Sequence, residues 1–146
     1  MILPDVNLLV YAADETATHH ERALDWVETT LSGTETVAFA WLVLIGFLRI
    51  TTNARTVARP WKAAQALDVI DRWLAQPAVT VVHPTDRHAA VLRDLLTPLG
   101  AGGNLTSDAH LAALAIEHGA TLCSGDNDFA RFPGLRWVDP LRLRPA

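Results

Sequence analysis

Short apolar runs alternate along this chain with longer stretches whose apolar residues fall three and four apart. The runs are Met1–Pro4, Thr36–Ala40, Val79–Val82, Ala120–Ser124 and Leu135–Val138, each too short for a stable helix and each read as a strand. Between them lie helical patterns. His20–Leu31 carries Ala23, Leu24, Val27 and Leu31 on one face, and Trp41–Thr52 carries Leu42, Ile45 and Leu48. Pro60–Gln76, Asp86–Leu99 and Asn104–His118 follow the same rule. Pro60 is expected in the first turn of its helix, Asp86 as an N-cap and Gly119 as a terminator. Parallel strands need a crossover between them, and a helix is the usual one. The alternation therefore predicts an α/β fold with a mainly parallel sheet. At 146 residues the expectation is one domain, 1–146.

Composition narrows the class. Half the residues are hydrophobic and 19% are charged, the profile of a packed protein. The net charge of −4 gives no global basic field for nucleic acid. Lys62 is the one lysine among twelve basic residues, and it precedes a mid-chain helix. That disfavours phosphotransfer or receiver-like chemistry, which recruits a lysine at the end of a late strand. The single Cys123 excludes an internal disulfide and fits a reducing compartment. No run reaches the ~20 apolar residues of a membrane span. The expectation is a soluble, cytoplasmic protein.

The chemistry rests on acids. Asp5 follows the first strand, Asp108 sits in the first turns of Asn104–His118, and Asp126 and Asp128 follow Ala120–Ser124. Taken singly, each has a structural reading: Asp5 as a cap, Asp108 as a solvated first-turn carboxylate, Asp126 and Asp128 as turn and cap residues. Taken together, they converge if the first and fourth strands are neighbours, because α/β sheets bind ligands beyond strand C-termini. Clustered carboxylates repel unless a cation neutralises them. All-oxygen donors favour Mg²⁺ or Mn²⁺, and such sites support phosphodiester hydrolysis.

Other candidates carry less. His110 and His118 have no zinc-ligand partner at helical spacing. Cys123 reads as a buried thiol, and Trp41, Trp61, Trp73 and Phe47 as core or interface. Arg49, Arg55 and Arg59 are free to contact phosphate or simply to face water.

Asp5-Val-Asn-Leu-Leu-Val, Asn104-Leu-Thr-Ser-Asp-Ala-His-Leu-Ala-Ala-Leu-Ala and Ser124-Gly-Asp-Asn-Asp-Phe resemble, in order, the motifs of the PIN-domain family, and within it the VapC-type toxin ribonucleases. The resemblance implies a three-layer α/β/α fold and a metal-dependent endoribonuclease, the toxin of a VapBC-type pair. It implies Mg²⁺, or Mn²⁺, held by Asp5, Asp108 and Asp126, with Asp128 in the same catalytic turn and Asn7 and Ser124 in support. Arg49 and Arg55 stand as RNA-binding candidates. The implied partners are an RNA substrate, a cognate VapB-type antitoxin and a second copy in a homodimer. One feature departs from the family. The helix after the second strand usually carries a glutamate, and here Gly46 stands at that position, with no acid between Glu35 and Asp68. That absence motivates the alternative, a catalytically degenerate PIN-like module that binds RNA or protein.

Overall fold

The computed structural model describes residues 1–142. Five short strands form one parallel sheet: β1 (Ile2–Pro4), β2 (Val37–Phe39), β3 (Val79–Val81), β4 (Thr121–Cys123) and β5 (Trp137–Val138), in the order β3-β2-β1-β4-β5. Six helices connect them: α1 (Val6–Ala13), α2 (His20–Leu31), α3 (Trp41–Thr51), α4 (Ala63–Leu74), α5 (His88–Leu96) and α6 (Thr106–His118). The expected α/β class and the adjacency of the first and fourth strands are both present. The last residues of the expected span, 143–146, lie outside the described residues.

Topology follows from handedness. From β1 the chain steps to β2 and then β3 in one direction, so right-handed crossovers put α1 to α4 on one face. The return from β3 to β4 runs the other way, which puts α5 and α6 on the opposite face. β1 is thus central and flanked on both sides, which is why Leu3 and Pro4 are fully buried. The direction of winding reverses at β1 and β4, leaving a crevice beyond their C-terminal ends.

The core is aliphatic around the sheet and aromatic under α3 and α4. Phe47 packs on Trp73 at 4.7 Å and on Trp61 at 6.0 Å between ring centroids, and Phe39 stacks on Trp73 at 5.8 Å. Trp41, read as core or interface, is not core: it is 48% exposed. Helix α6 is buried on most sides: Ala109 and Leu111 through Ala115 are all inside. Its alanines allow close approach to the sheet and to α5, and Leu114 alone contributes about 2 kcal/mol by burial.

Helix ends differ from the sequence expectation in three places. Helix α4 starts at Ala63, with Pro60 outside it: Lys62 is extended (φ −73°, ψ 150°), and the Trp61 N–H donates to the Thr51 carbonyl at 2.8 Å. Helix α5 starts at His88 with Arg87 as N-cap residue, and neither Asp86 nor any other side chain caps it; the Thr85 hydroxyl accepts from the Arg87 N–H in the turn before it, at 3.2 Å. Gly103–Leu105 is a separate 3₁₀ turn, so α6 begins at Thr106. Gly119 ends it with φ of +66°, a conformation glycine adopts without strain.

Candidate metal centre

Asp5 is the first residue past β1. Its N–H donates to the Cys123 carbonyl at 2.8 Å, which extends the β1–β4 ladder by one step. The carboxylate then turns inward. One oxygen accepts from the Val6 N–H at 2.7 Å and so caps α1. The other accepts from the Ser124 hydroxyl, also at 2.7 Å. Asp5 is 9% exposed, and burial raises its carboxyl above the usual range against the pull of these two hydrogen bonds.

Ser124 is completely buried and joins the two strand ends. Its Oγ donates to Asp5 and accepts from the Asn7 amide at 3.2 Å and from the Asp126 N–H at 3.0 Å. That uses the whole capacity of a hydroxyl, one donor and two lone pairs. Its own peptide is fixed by β5: the Ser124 N–H donates to Val138 and the Trp137 indole to the Ser124 carbonyl, each at 3.0 Å. Asn7 reaches back across the loop as well, accepting from the Gly125 N–H at 3.5 Å.

Asp126 caps the 3₁₀ turn Asn127–Arg131 by accepting from the Asp128 N–H at 2.9 Å. This turn aims both carboxylates at the first turn of α6. There Asp108 is half-buried, and one carboxylate oxygen from each of Asp108, Asp126 and Asp128 lies within 4.8 Å of the other two. Burial first, then the charges of Asp5, Asp126 and Asp128, push the Asp108 carboxyl from the ordinary 3.8 up to about 6. A half-desolvated acid facing three others is a site short of positive charge. Arg131 supplies little of it, pairing with Asp128 at 3.5 Å in the open.

The four acids named from sequence therefore share one crevice, with different roles in its architecture. Asp108, Asp126 and Asp128 form the close trio, whereas Asp5 is held by internal donors and acts on Asp108 as a nearby charge. Arg49, in the last turn of α3, and Arg55, in the loop beyond it, are exposed. No ion pair joins either to the acids among the described residues. At Gly46 a Cβ would meet Val6 Cγ2 at 3.3 Å, so α3 packs tightly against the residue next to Asp5 and brings no carboxylate there. Cys123 is inert as a nucleophile: burial pushes its thiol up to about 12.

A second polar cluster has no sequence signal. Glu117 on α6, its side chain fully buried, accepts from the Thr85 N–H at 3.0 Å and hydroxyl at 2.6 Å and meets His88 Nδ1 at 2.5 Å. His88 Nε2 in turn lies 2.9 Å from His110 Nδ1. Burial alone would raise Glu117, but these hydrogen bonds outweigh it and hold the carboxyl low. The spacing of His110 and His118 within α6 gave no partner because the partner comes from α5.

A family model described as "PIN domain" matches residues 2–135. Ribonuclease VapC37 of Mycobacterium tuberculosis is 45% identical over 98% of this chain and 99% of its own length. Ribonuclease VapC33 of the same species is 43% identical over 97% and 99%. Among solved structures, VapBC2 from Rickettsia felis bound to a promoter DNA fragment aligns at a TM-score of 0.66 and 22% identity, covering 94% of this chain and 98% of that one. VapC20 of M. tuberculosis, a sarcin-ricin-loop-cleaving toxin, aligns at 0.64 and 18%, covering 93% and 99%. These two establish likeness of fold.

Proposed function

The chain belongs to the PIN-domain family, and from that premise we propose that it is a VapC-type toxin: a metal-dependent endoribonuclease that hydrolyses RNA phosphodiester bonds. The observation that carries the reading is the trio Asp108, Asp126 and Asp128 at the strand switch point, with Asp5 beside it. Its donors are all carboxylate oxygens, which fit a hard divalent cation, Mg²⁺ or Mn²⁺. Asp108, Asp126 and Asp128 would hold the ion. When bound it supplies charge for the developing phosphorane and a more acidic water.

The protein's own residues do the rest. Asp5, locked by Ser124 and Val6, keeps a negative charge fixed beside Asp108 and so raises the demand for a cation there. Ser124 and Asn7 hold the Gly125–Asp126 backbone in place, which sets the distance between Asp126 and Asp108. The degenerate-module reading, motivated by Gly46, is not favoured, because the trio is complete without a residue from α3. VapC relatives pair with VapB antitoxins in solved complexes, and a cognate antitoxin is the expected partner here. The exposed Trp41, Leu42 and Ile45 on α3 support a homodimer built on that helix. An RNA substrate and a lone reduced cysteine suit action in the cytoplasm.

The test is to express the protein briefly and sequence cellular RNA ends. New 5′ ends at a recurrent motif are expected from the wild type and none from Asp5→Asn. Identical end profiles for the two would sink the proposal.

A further inference from the structure

The acids explain cleavage but not how an anionic strand approaches a protein of net charge −4. A cavity of about 360 Å³ opens directly beside them. Its edge toward the acids is Gly125, the residue between Ser124 and Asp126. A Cβ there would have only the Asn7 amide within 4 Å, at 3.8 Å, so bare backbone separates the cavity from the crevice. From the other side come Tyr11 of α1, His19 just before α2 and Arg22 of α2, and the loop after β5 contributes Arg142.

These side chains suit one kind of ligand. The rings of Tyr11 and His19 sit 5.7 Å apart and tilted by 58°. The joint between α1 and α2 that carries them is held by His20 Nδ1 against the Tyr11 carbonyl at 2.9 Å. Arg142 Nη2 donates to Asn127 Oδ1 at 3.0 Å, which ties one guanidinium to the turn that carries Asp126 and Asp128. Arg22 is exposed at the rim. The one acid in the lining, Asp139, accepts from the Leu141 N–H at 3.0 Å, and the two arginines outnumber it by one. Aromatic faces for a base and arginines for phosphate are what single-stranded nucleic acid requires. The volume lies within the ~300–1,000 Å³ range of small-ligand sites.

We propose that this cavity binds a ribonucleotide flanking the scissile phosphate, its base against Tyr11 and His19 and its phosphate between Arg22 and Arg142. It fixes the direction in which the strand leaves the acid trio, and it makes Tyr11, Arg22 and Arg142 specificity-determining positions. This rests on the ribonuclease reading above.

The probe is a fluorescein-labelled 12-nucleotide RNA of mixed sequence, followed by anisotropy in EDTA and by cleavage in Mg²⁺. Arg22→Glu and Arg142→Glu are compared with Arg93→Glu, the same charge change on α5 across the sheet, with melting curves confirming that each is folded. Arg22→Glu and Arg142→Glu should each weaken binding about tenfold. Each should also flatten the dependence of log Kd on log salt by about one, as expected when one phosphate contact is lost. Tyr11→Leu should weaken binding several-fold at unchanged salt slope. Wild-type cleavage with both arginine variants binding within twofold of Arg93→Glu overturns the cavity assignment alone. Absence of both binding and cleavage by the wild type overturns it together with the ribonuclease reading.

Discussion

Asp108→Asn should make the metal-free protein more stable while disabling it. In the wild type, ionising Asp108 in the folded state is opposed by burial and by three neighbouring acids, which lifts its carboxyl from 3.8 to about 6. At 1.36 kcal/mol per pH unit, that rise corresponds to about 3 kcal/mol as an upper bound. Asp108 is only half-buried, so water screens much of the repulsion and about 1 kcal/mol is the expected gain on removing the charge. For a chain of this size that raises Tm by roughly 3–4 °C. The sign follows from linkage. A raised carboxyl contributes stability that is fully present below pH 3.8 and lost as pH rises through about 6. The variant's advantage should therefore be full above pH 6 and gone near pH 4. Melting curves in EDTA across that range measure it. Adding Mg²⁺ should reverse the order, because the wild type, with all three carboxylates, gains more binding free energy from the cation than a variant left with Asp126 and Asp128. Cleavage should fall at least ~100-fold. A variant that melts at or below wild type in EDTA at pH 7.5, or a gap that stays constant down to pH 4, refutes the reasoning.

Two further outcomes are expected. Ser124→Ala strips a partner from a buried Asp5 oxygen, from the Asn7 amide and from the Asp126 N–H. It should cost about 2–3 kcal/mol in urea unfolding and lower cleavage at least tenfold; a loss under 0.5 kcal/mol contradicts the hub role. Gly46→Glu must push against Val6 Cγ2 and should cost about 1–2 kcal/mol. The cost should shrink by about 1 kcal/mol in a Val6→Ala background, and a double-mutant cycle with zero coupling removes the packing account.

How much of this was legible in sequence depends on where each signal resides. Strand and helix order was readable because periodicity is local, and the meeting of Asp5 with Asp108 and Asp126 followed from one topological step. Helix starts were less so. Asp86 is a good cap by residue type, but Arg87 takes the N-cap position and no side chain caps α5. The Glu117–His88–His110 chain was invisible because two of its residues are on α6 and the bridging one is on α5, and no spacing rule spans separate helices. Arg22 and Arg142 carry no joint signal for the same reason: they are 120 positions apart in sequence, and only the fold sets both beside Gly125. The missing acid at Gly46 shows in the sequence, but Val6 comes to lie against it only through the packing of α3 on α1.

The Asp5–Ser124 hydrogen bond joins residues 119 positions apart. A chain emerging from the ribosome therefore presents Asp5 well before Ser124, Asp126 and Asp128. Until β4 has been made, the central strand β1 lacks one of its two neighbours, and Asp5 has no hydroxyl to orient it. Long-range parallel pairing of this kind is slow to form. The acid cluster of such a chain stays unassembled until β4 and the turn after it have emerged, and a cell has that interval in which to supply whatever restrains it.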